Sequence, residues 1–432
     1  MCTVSSSQNG LSIKNSSTKG DAFSACSRTK FSTSAALLTS LAVFSQEVVW
    51  NFYEAQVPPA LRHYTNSAAL IGLLMGIDNL LGLFIQPWMA HRSDNTNNRF
   101  GRRVPYLLIG VPIAATFYIL IPWAESLPAL IASMLCFALV ANSFKSITEA
   151  LVADFQSAEN RGKANAMAKL AAALTISVGS GISYFVIDKS TKVAFAIPAF
   201  LLVIGMAIAC WGLDERKLHS VTSEKGRAQQ SQSFRNLIMD ILRSSNRSRA
   251  SMLLAVFATA GAWSAMRSQL SPYAIEILGL TRGQAGSLSM PAGIAFILAV
   301  FPLAILSDRS SRLSICKIGG LVFSVGCFVA FISTSVQATI IALVIASVGY
   351  AAFAINGVVI MWNLAPNSKC TGAYTGLYTM AFACGATIVP ALIGLLVDAT
   401  GWRYLMLYAG IAGLVAFLLF SRIRNECSIN RP

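Results

Sequence analysis

Three side chains within one apolar stretch have the types and spacing needed to bind a polar solute. Glu47, Trp50 and Glu54 are separated by three and four residues, so they share one stripe of a helix. Tyr53 flanks this stripe. Carboxylates accept hydrogen bonds from hydroxyl groups, and aromatic rings pack against the C–H faces of a sugar. The set favours a sugar-like ligand, with simple packing of Trp50 as the alternative.

Other ionisable groups lie inside other apolar stretches. Asp78 precedes Asn79, and Lys145 lies four residues before Glu149 on one helix face. We expect Glu149 to be the group that gains and loses a proton, with Asp78 or Glu54 as the next candidates. The alternatives are a permanent Lys145–Glu149 ion pair and a polar contact between helices at Asp78. The remaining candidates for the solute or proton pathway are Trp263, Arg267, Gln269, Asn356 and Asn363.

The sequence lacks the residue patterns of most other kinds of site. It contains no Walker sequence and no glycine-rich nucleotide loop after a strand. Its histidines, His63, His91 and His219, lie at the ends of apolar stretches or in loops, and its 9 cysteines have no metal-ligand spacing. We therefore expect no enzymatic activity, no cofactor and no metal ion.

The composition predicts that these residues lie in helices that span a membrane. Only 12% of the chain is charged, 55% is hydrophobic, and the mean hydropathy is +0.61. Stretches such as 34–60 and 68–90 are long enough to cross a bilayer, for which about 20 apolar residues suffice. An ionisable group at the bilayer centre costs about 2.5–3.5 kcal/mol and normally faces a polar cavity. We therefore expect the candidates to line a shared cavity.

The positive charges indicate topology. The net charge is +15, but most of the 33 lysines and arginines fall in the two tails and the even-numbered loops. This bias predicts both termini in the cytoplasm of a plasma (inner) membrane, and it argues against nucleic acid as a partner. An organelle membrane is the alternative, since the tail 1–31 is basic and rich in serine. The lysines and arginines of the odd-numbered loops are only Arg62, Lys189, Lys192, Arg282 and Arg403.

The apolar stretches predict an all-α membrane protein of about twelve spanning helices in two six-helix bundles. The bundles are expected at 32–213 and 250–423, with a cytoplasmic linker at 214–249 and disordered cytoplasmic tails at 1–31 and 424–432. Ser93-Asp94 recurs 214 residues later as Ser307-Asp308, which indicates an internal repeat. The predicted helices are 33–60, 67–91, 105–124, 128–154, 163–187, 193–213, 250–278, 284–306, 314–334, 337–363, 371–397 and 402–422.

The loop after the second helix has the residues of a conformational gate. It contains Asp94 and the run Arg99-Phe-Gly101-Arg102-Arg103, in which the glycine permits a tight turn. Asp94 can pair with an arginine of a neighbouring helix end, and such ion pairs can hold one side closed in one state. Asp308 occupies the corresponding place in the second half. The alternative is that the arginines only determine topology.

This loop resembles the signature of the major facilitator superfamily. The sequence is most similar to the glycoside–pentoside–hexuronide:cation symporters and the related sucrose/proton symporters. The similarity lies in Gln86-Pro87 upstream of the loop, Pro105-Tyr106 downstream of it, and Ala150-Leu-Val-Ala-Asp154. The resemblance covers the whole chain in topology. It implies two parallel repeats with a solute site between them, lined by the first, fourth, seventh and tenth helices.

The sequence departs from this branch where the branch binds sodium. Its melibiose-type members have two acids on the second helix and one on the fourth, and those positions are Gly82, Gln86 and Lys145 here. The arginine of the sucrose symporters aligns with Glu149. We therefore expect proton coupling and a sugar or glycoside as the solute, in a transporter that functions as a monomer. The alternative is a drug or metabolite exporter that exchanges its solute for protons.

Overall fold

The computed structural model describes residues 32–96, 98, 101–156, 160–213, 247–365 and 371–423. Within these ranges the chain is helical, without a strand. The predicted tails and nearly all of the predicted linker lie outside the described residues. Several helices begin at a hydroxyl residue whose side chain accepts a hydrogen bond from a first-turn N–H, the preferred N-cap chemistry. These N-caps are Ser32, Ser67, Ser126, Ser190, Thr281 and Ser335.

Six helices form the N-terminal bundle. They pack around a core that contains Phe52, Tyr118, Phe137 and Phe195. The helix α3 continues into a 3₁₀ turn, and α5 continues into a π-helical turn at Ser183–Ile187. The six are α1 (Thr33–Tyr64), α2 (Ala68–Asp94), α3 (Val104–Leu120), α4 (Leu127–Asp154), α5 (Arg161–Ile182) and α6 (Thr191–Gly212).

Six more helices form the C-terminal bundle, around apolar clusters that include Tyr273, Phe323, Phe353 and Phe420. The eighth is interrupted at Leu288. The six are α7 (Arg247–Leu278), α8 (Arg282–Ser287 and Ser289–Arg309), α9 (Arg312–Ile332), α10 (Val336–Asn363), α11 (Thr371–Thr400) and α12 (Leu405–Ser421). The all-α architecture predicted from the sequence is therefore confirmed.

Ten of these twelve helices have the length and apolar composition of a membrane span, counted over the described residues. The two others, α1 and α7, are each 32 residues long and contain Glu47, Glu54 and Arg267. The molecule is thus a multi-pass membrane protein. We call the side on which α6 ends and α7 begins the linker face, and the other side the opposite face.

The first helix is longer than predicted. The prediction ended it at residue 60, where the apolar stretch ends, but the helix continues through Pro58 and Pro59, which lack an N–H donor, to Tyr64. Pro59 leaves the carbonyl of Ala55 without its intrahelical partner. The Ser271 hydroxyl of α7 donates to this carbonyl at 2.8 Å. A bond between the bundles therefore replaces the missing helical bond.

The bundles meet closely where α2 crosses α11. A Cβ atom added to Gly76 would lie 2.6 Å from the Cα of Thr387, and the Thr387 hydroxyl donates to the Gly76 carbonyl at 2.7 Å. Gly72 lies as close to the Pro390 carbonyl. Gly72 and Gly76 are small residues four positions apart, a sequence pattern that predicts close helix packing. Gly372 and Gly376 have the same spacing, but there the prediction is wrong for Gly376, since nothing lies within 4 Å of a Cβ atom at that position.

Substitution of Gly76 by alanine should therefore destabilise the protein. The added methyl group meets backbone, which cannot rotate away, so we expect a loss of about 1–3 kcal/mol, the usual cost of overpacking. Gly376→Ala is the matched control, because its methyl group enters open space and alanine favours the helix. Thermal unfolding of the two purified variants in detergent measures the difference. Equal melting temperatures would contradict the close α2–α11 contact.

Candidate functional site

A cavity of about 570 Å³ lies between the two bundles. It runs from Glu54 and Asp78, in the middle of α1 and α2, toward the linker face, where Ala90 and Thr375 line it. Its walls come from α1, α2, α4, α7 and α11. A second space of about 190 Å³ adjoins it and is bounded by Trp263 of α7 and Tyr350 of α10.

This lining differs from the one that the resemblance implied. Helices α2 and α11 form a large part of the wall because they cross at Gly76, whereas α10 contributes only Tyr350, to the adjoining space. Tyr350 stacks on Trp263 with ring centroids 4.1 Å apart. The tenth helix was expected to contribute Asn356 and Asn363 instead.

An ion pair between α1 and α4 lies in the cavity wall. The Lys145 Nζ atom is 3.5 Å from the Glu47 carboxylate and 5.6 Å from the centre of the Trp50 ring. The charge of Lys145 is thus balanced by a carboxylate and an aromatic face. The indole N–H of Trp50 has no hydrogen-bond partner among the described residues, so it remains available as a donor.

A second ion pair connects the two bundles. The Arg267 guanidinium of α7 pairs with the Glu54 carboxylate of α1 and donates to the Asn51 side-chain oxygen at 3.3 Å. The amide nitrogen of Asn51 donates in turn to the Thr175 hydroxyl of α5 at 2.7 Å. Arg267 also lies 5.8 Å from the centre of the Trp263 ring.

Asp78 is the acid in the cavity without an ion pair among the described residues. Its side chain accepts a hydrogen bond from Asn79 at 3.0 Å. Because Lys145 and Arg267 each pair with another acid, three acids and two bases meet in this cavity. Ionised throughout, the set would have a net charge of −1.

Uncharged amides complete the wall between α2 and α4. The Asn142 amide donates to the Asp78 carbonyl at 3.2 Å and accepts from the Gln86 side chain at 2.8 Å. The Ser146 hydroxyl donates to the Gln86 carbonyl at 2.9 Å. Asn51, Asn142 and Ser146 were not predicted from the sequence. Their signal was a polar residue within an apolar stretch, which is weaker for an amide or hydroxyl than for a charge.

The structure brings most of the predicted site residues together. Eight of the thirteen line the cavity or the adjoining space, namely Glu47, Trp50, Glu54, Asp78, Asn79, Lys145, Trp263 and Arg267.

The other five predicted residues lie elsewhere. Tyr53 is buried against Trp50 and Phe137. Glu149 is exposed and does not line the cavity, because the tertiary partner of Lys145 is Glu47 and not the acid one turn away. Three further residues are structural or peripheral: Gln269 donates to the Pro390 carbonyl, Asn356 donates to Ser307, and Asn363 is exposed at the end of α10.

The predicted gate forms a network on the linker face. Arg103 is buried and contacts Asp94 at 3.0 Å and also the Asp154 carboxylate at the end of α4. Arg102 contacts Asp154 at 2.8 Å. Gly101 has φ of +100°, which glycine adopts without strain.

The predicted gate also included Arg99 and Asp308. Arg99 lies outside the described residues. In the second half, Asp308 is exposed and pairs with Arg312 on α9 at 2.8 Å. This pair is more open to solvent than the Asp94–Arg103 network, so we expect it to contribute less.

Comparison with known proteins gives a family-level match. The model of the Major Facilitator Superfamily matches residues 36–276 and 252–426. A Homo sapiens protein described as membrane-associated transporter protein is 30% identical over 129 residues, which are 30% of this chain and 24% of that protein.

Three solved structures share the fold. The nucleoside transporter NupG superposes with a TM-score of 0.72 at 12% identity, over 90% of this chain and 98% of that one. A point mutant of the peptide transporter POT, in complex with sulfate, has a TM-score of 0.70 at 13% identity, over 89% and 93%. A bacterial homologue of the human lysosomal transporter Spinster, inward-facing and occupied, has a TM-score of 0.67 at 14% identity, over 90% and 95%.

The gate network predicts a kinetic defect without a binding defect. Asp94→Asn removes one of the two carboxylates that Arg103 contacts, and Asp94 does not line the cavity. We expect turnover to fall by up to about tenfold, the effect of one lost charge-assisted hydrogen bond, while solute affinity stays within a few-fold. Rates and affinities in proteoliposomes, for the solute found with a radiolabelled panel, measure this. Asp308→Asn is the control; a collapse of binding as severe as that of turnover would disprove the assignment.

Proposed function

Because the chain belongs to the Major Facilitator Superfamily, we propose that it is a secondary active transporter that works by alternating access. In this proposal it couples the entry of a sugar or glycoside to the entry of protons. Members of this superfamily move small solutes across membranes, and the fold supplies a cavity between two bundles for that purpose. The observation that carries the proposal is Asp78, a carboxylate without an ion pair in a cavity whose other charges are matched.

The paired charges favour an uncharged solute. With Glu47 bound to Lys145 and Glu54 bound to Arg267, protonation of Asp78 leaves the cavity neutral. A neutral polyhydroxyl molecule then needs hydrogen-bond donors and acceptors rather than counter-charges. The wall supplies amides and hydroxyls in number, and a volume of about 570 Å³ lies in the usual range for a small-molecule site. These groups are Asn51, Asn79, Gln86, Asn142, Ser146, Thr375 and Thr379.

The same residues favour protons over sodium as the coupling ion. Sodium is a hard cation that requires several oxygen ligands, and carboxylates supply the strongest of these. Gly82 and Gln86 stand where the melibiose-type symporters that the sequence resembles have acids, and the Lys145 ammonium would repel a cation nearby. Acids within a membrane-embedded cavity are, by contrast, the usual carriers of protons.

A second candidate function rests on the same carboxylate. When ionised, Asp78 gives the cavity a net charge of −1, beside the aromatic faces of Trp50 and Trp263. A cationic organic molecule would suit such a site. The protein would then export the cation in exchange for protons, and the cation and the proton would compete for Asp78. Competition between a cationic dye and protons for binding would favour this alternative.

We further propose that the linker face is the cytoplasmic side of a plasma membrane, as the distribution of basic residues predicts. The cavity would then be open to the cytoplasm and closed to the outside in this conformation. We retain the proposal that one chain suffices, since each bundle has its own apolar core and the cavity is formed within a single chain.

Asp78→Asn should uncouple the transporter, since asparagine resembles the protonated acid and cannot release a proton. We expect gradient-driven accumulation of the solute to be lost while exchange of labelled for unlabelled solute survives. Both assays use proteoliposomes, the first with an imposed pH gradient and the second without one. Glu149→Gln is the matched control and should accumulate the solute normally.

The reverse result would restore the assignment made from the sequence. If Asp78→Asn accumulated the solute and Glu149→Gln did not, Glu149 would be the proton carrier. If neither variant had an effect on accumulation, Glu54 would be the next acid to test. If Asp78→Asn lost both exchange and accumulation, Asp78 would bind the solute instead.

Uptake should depend on a proton gradient and not on a sodium gradient. A panel of radiolabelled sugars and glycosides, tested on proteoliposomes with the two gradients imposed separately, identifies both the solute and the ion. A proton ionophore should abolish the accumulation. Stimulation by sodium at fixed pH, insensitive to the ionophore, would reject proton coupling.

A further inference from the structure

Two aspartates bind the two bundles together at the opposite face. Asp398, at the end of α11 in the C-terminal bundle, accepts bonds from the backbone N–H groups of Ala68 at 2.6 Å and Ala69 at 3.2 Å. It also accepts from the Ser67 hydroxyl at 2.7 Å. Ser67 is the N-cap residue of α2, so a carboxylate of one bundle binds the start of a helix in the other.

The second aspartate makes the corresponding contact from the other bundle. Asp188, after α5, accepts a bond from the Gly283 N–H at 2.9 Å and from the Thr281 hydroxyl at 2.6 Å. Thr281 is the N-cap residue of α8. Ser67 and Thr281 are 214 residues apart, the spacing of the internal repeat, and α5 corresponds to α11 in the other half. The two contacts are therefore equivalents under the symmetry of the fold.

The chemistry of each contact gives it strength and direction. The N–H groups at the start of a helix have no partner within the helix and lie at the positive end of its dipole. A carboxylate there forms charge-assisted hydrogen bonds, and each contact crosses the boundary between the bundles. If the bundles separated at the opposite face, both carboxylates would exchange these hydrogen-bond partners for water.

We propose that Asp188 and Asp398 are paired gating residues that hold the opposite face closed and release it together when that face opens. Other contacts between the bundles lie on the same face. Arg62 of α1 pairs with Glu276 of α7 at 3.0 Å, and Arg282 donates to the Gln56 side chain at 2.9 Å. The aspartate contacts differ from these two contacts in that each has an equivalent in the other half, so each bundle contributes one carboxylate to the gate.

The test measures which face is open, and it requires no knowledge of the solute or the coupling ion. Its variants are Asp398→Ala, Asp188→Ala and the double substitution. Glu125→Ala is the matched control, an exposed acid at the same face in the loop between α3 and α4. A cysteine at Met75, in the wall of the space next to the cavity, reports on the opposite face. A cysteine at Ala90, in the cavity wall toward the linker face, reports on the linker face.

The reporters are introduced into a chain whose 9 native cysteines have been replaced, and they are labelled with a membrane-impermeant maleimide from one side at a time. We expect each single variant to raise labelling at Met75 from the opposite face by about tenfold. The double variant should raise it by about a hundredfold, because both contacts stabilise the same state and their effects multiply. Labelling at Ala90 from the linker face should fall.

This reciprocal change separates gating from a loss of stability, which would raise labelling at both positions. Hydrogen–deuterium exchange on the chain with its native cysteines gives an independent measurement. Residues 67–71 should exchange faster in Asp398→Ala, and 281–285 faster in Asp188→Ala, while the segment 375–383 exchanges more slowly in the double variant. Unchanged labelling at Met75 in the double variant, or a rise at both positions, would overturn the proposal.

Discussion

An unpaired charge in the middle of a membrane protein is costly, and the pairing of Arg267 with Glu54 avoids this cost for one cation and one acid by joining the two bundles. Desolvation of an ion costs several kcal/mol, and a partner must compensate for it. Here the cation comes from α7 and the acid from α1, with the Asn51 amide as a further acceptor. The pair therefore connects the bundles at the level of the cavity. Any conformation in which the bundles move apart at this depth must offer each charge a replacement partner, and Asp78 lines the same cavity as Arg267.

The rest of the interface follows from where the helices can approach each other. Gly72 and Gly76 allow α2 to contact the backbone of α11, which turns these two helices into a wall of the cavity. On α1, Pro59 leaves the carbonyl of Ala55 free to accept from α7. Each of these contacts uses backbone groups that another helix can reach. The glycines have no side chain to keep the other helix away, and the Ala55 carbonyl has no intrahelical partner. The interface can therefore be both close and polar, as a sliding or rocking contact within a membrane requires.

The helices and the gate loop could be predicted from the sequence because their signals are local. Apolar length predicts a span, and the run around Gly101 predicts the turn that places Arg102 and Arg103 beside Asp154. The partners of the charges could not be predicted in the same way. The spacing of Lys145 and Glu149 favoured an ion pair within one helix, but α1 brings Glu47 closer and Glu149 remains exposed. Asn356 and Gln269 looked like cavity residues because they are polar, whereas packing directs them to partners within the C-terminal bundle. Polarity alone does not indicate which face of a helix meets the cavity.

The repeat relates the gates of the two halves but not their sites. Helices α1 and α7 are the same length and 214 residues apart, so Glu47, Tyr53 and Glu54 correspond to Gly261, Arg267 and Ser268. Asp78 corresponds to Ala292 in the same way. The N-terminal bundle therefore supplies every acid of the cavity and one base, and the C-terminal bundle supplies the base Arg267. At the opposite face, by contrast, each half contributes the same residue type at the same place. A symmetric frame allows the two faces to open in turn by equivalent movements, and an asymmetric cavity can recognise a solute that has no symmetry of its own. The division of charge between the halves also means that relative movement of the bundles changes the distance between Arg267 and the acids, whereas Lys145 stays with Glu47 in one bundle. Arg267 is thus the charge whose surroundings must change when the bundles move.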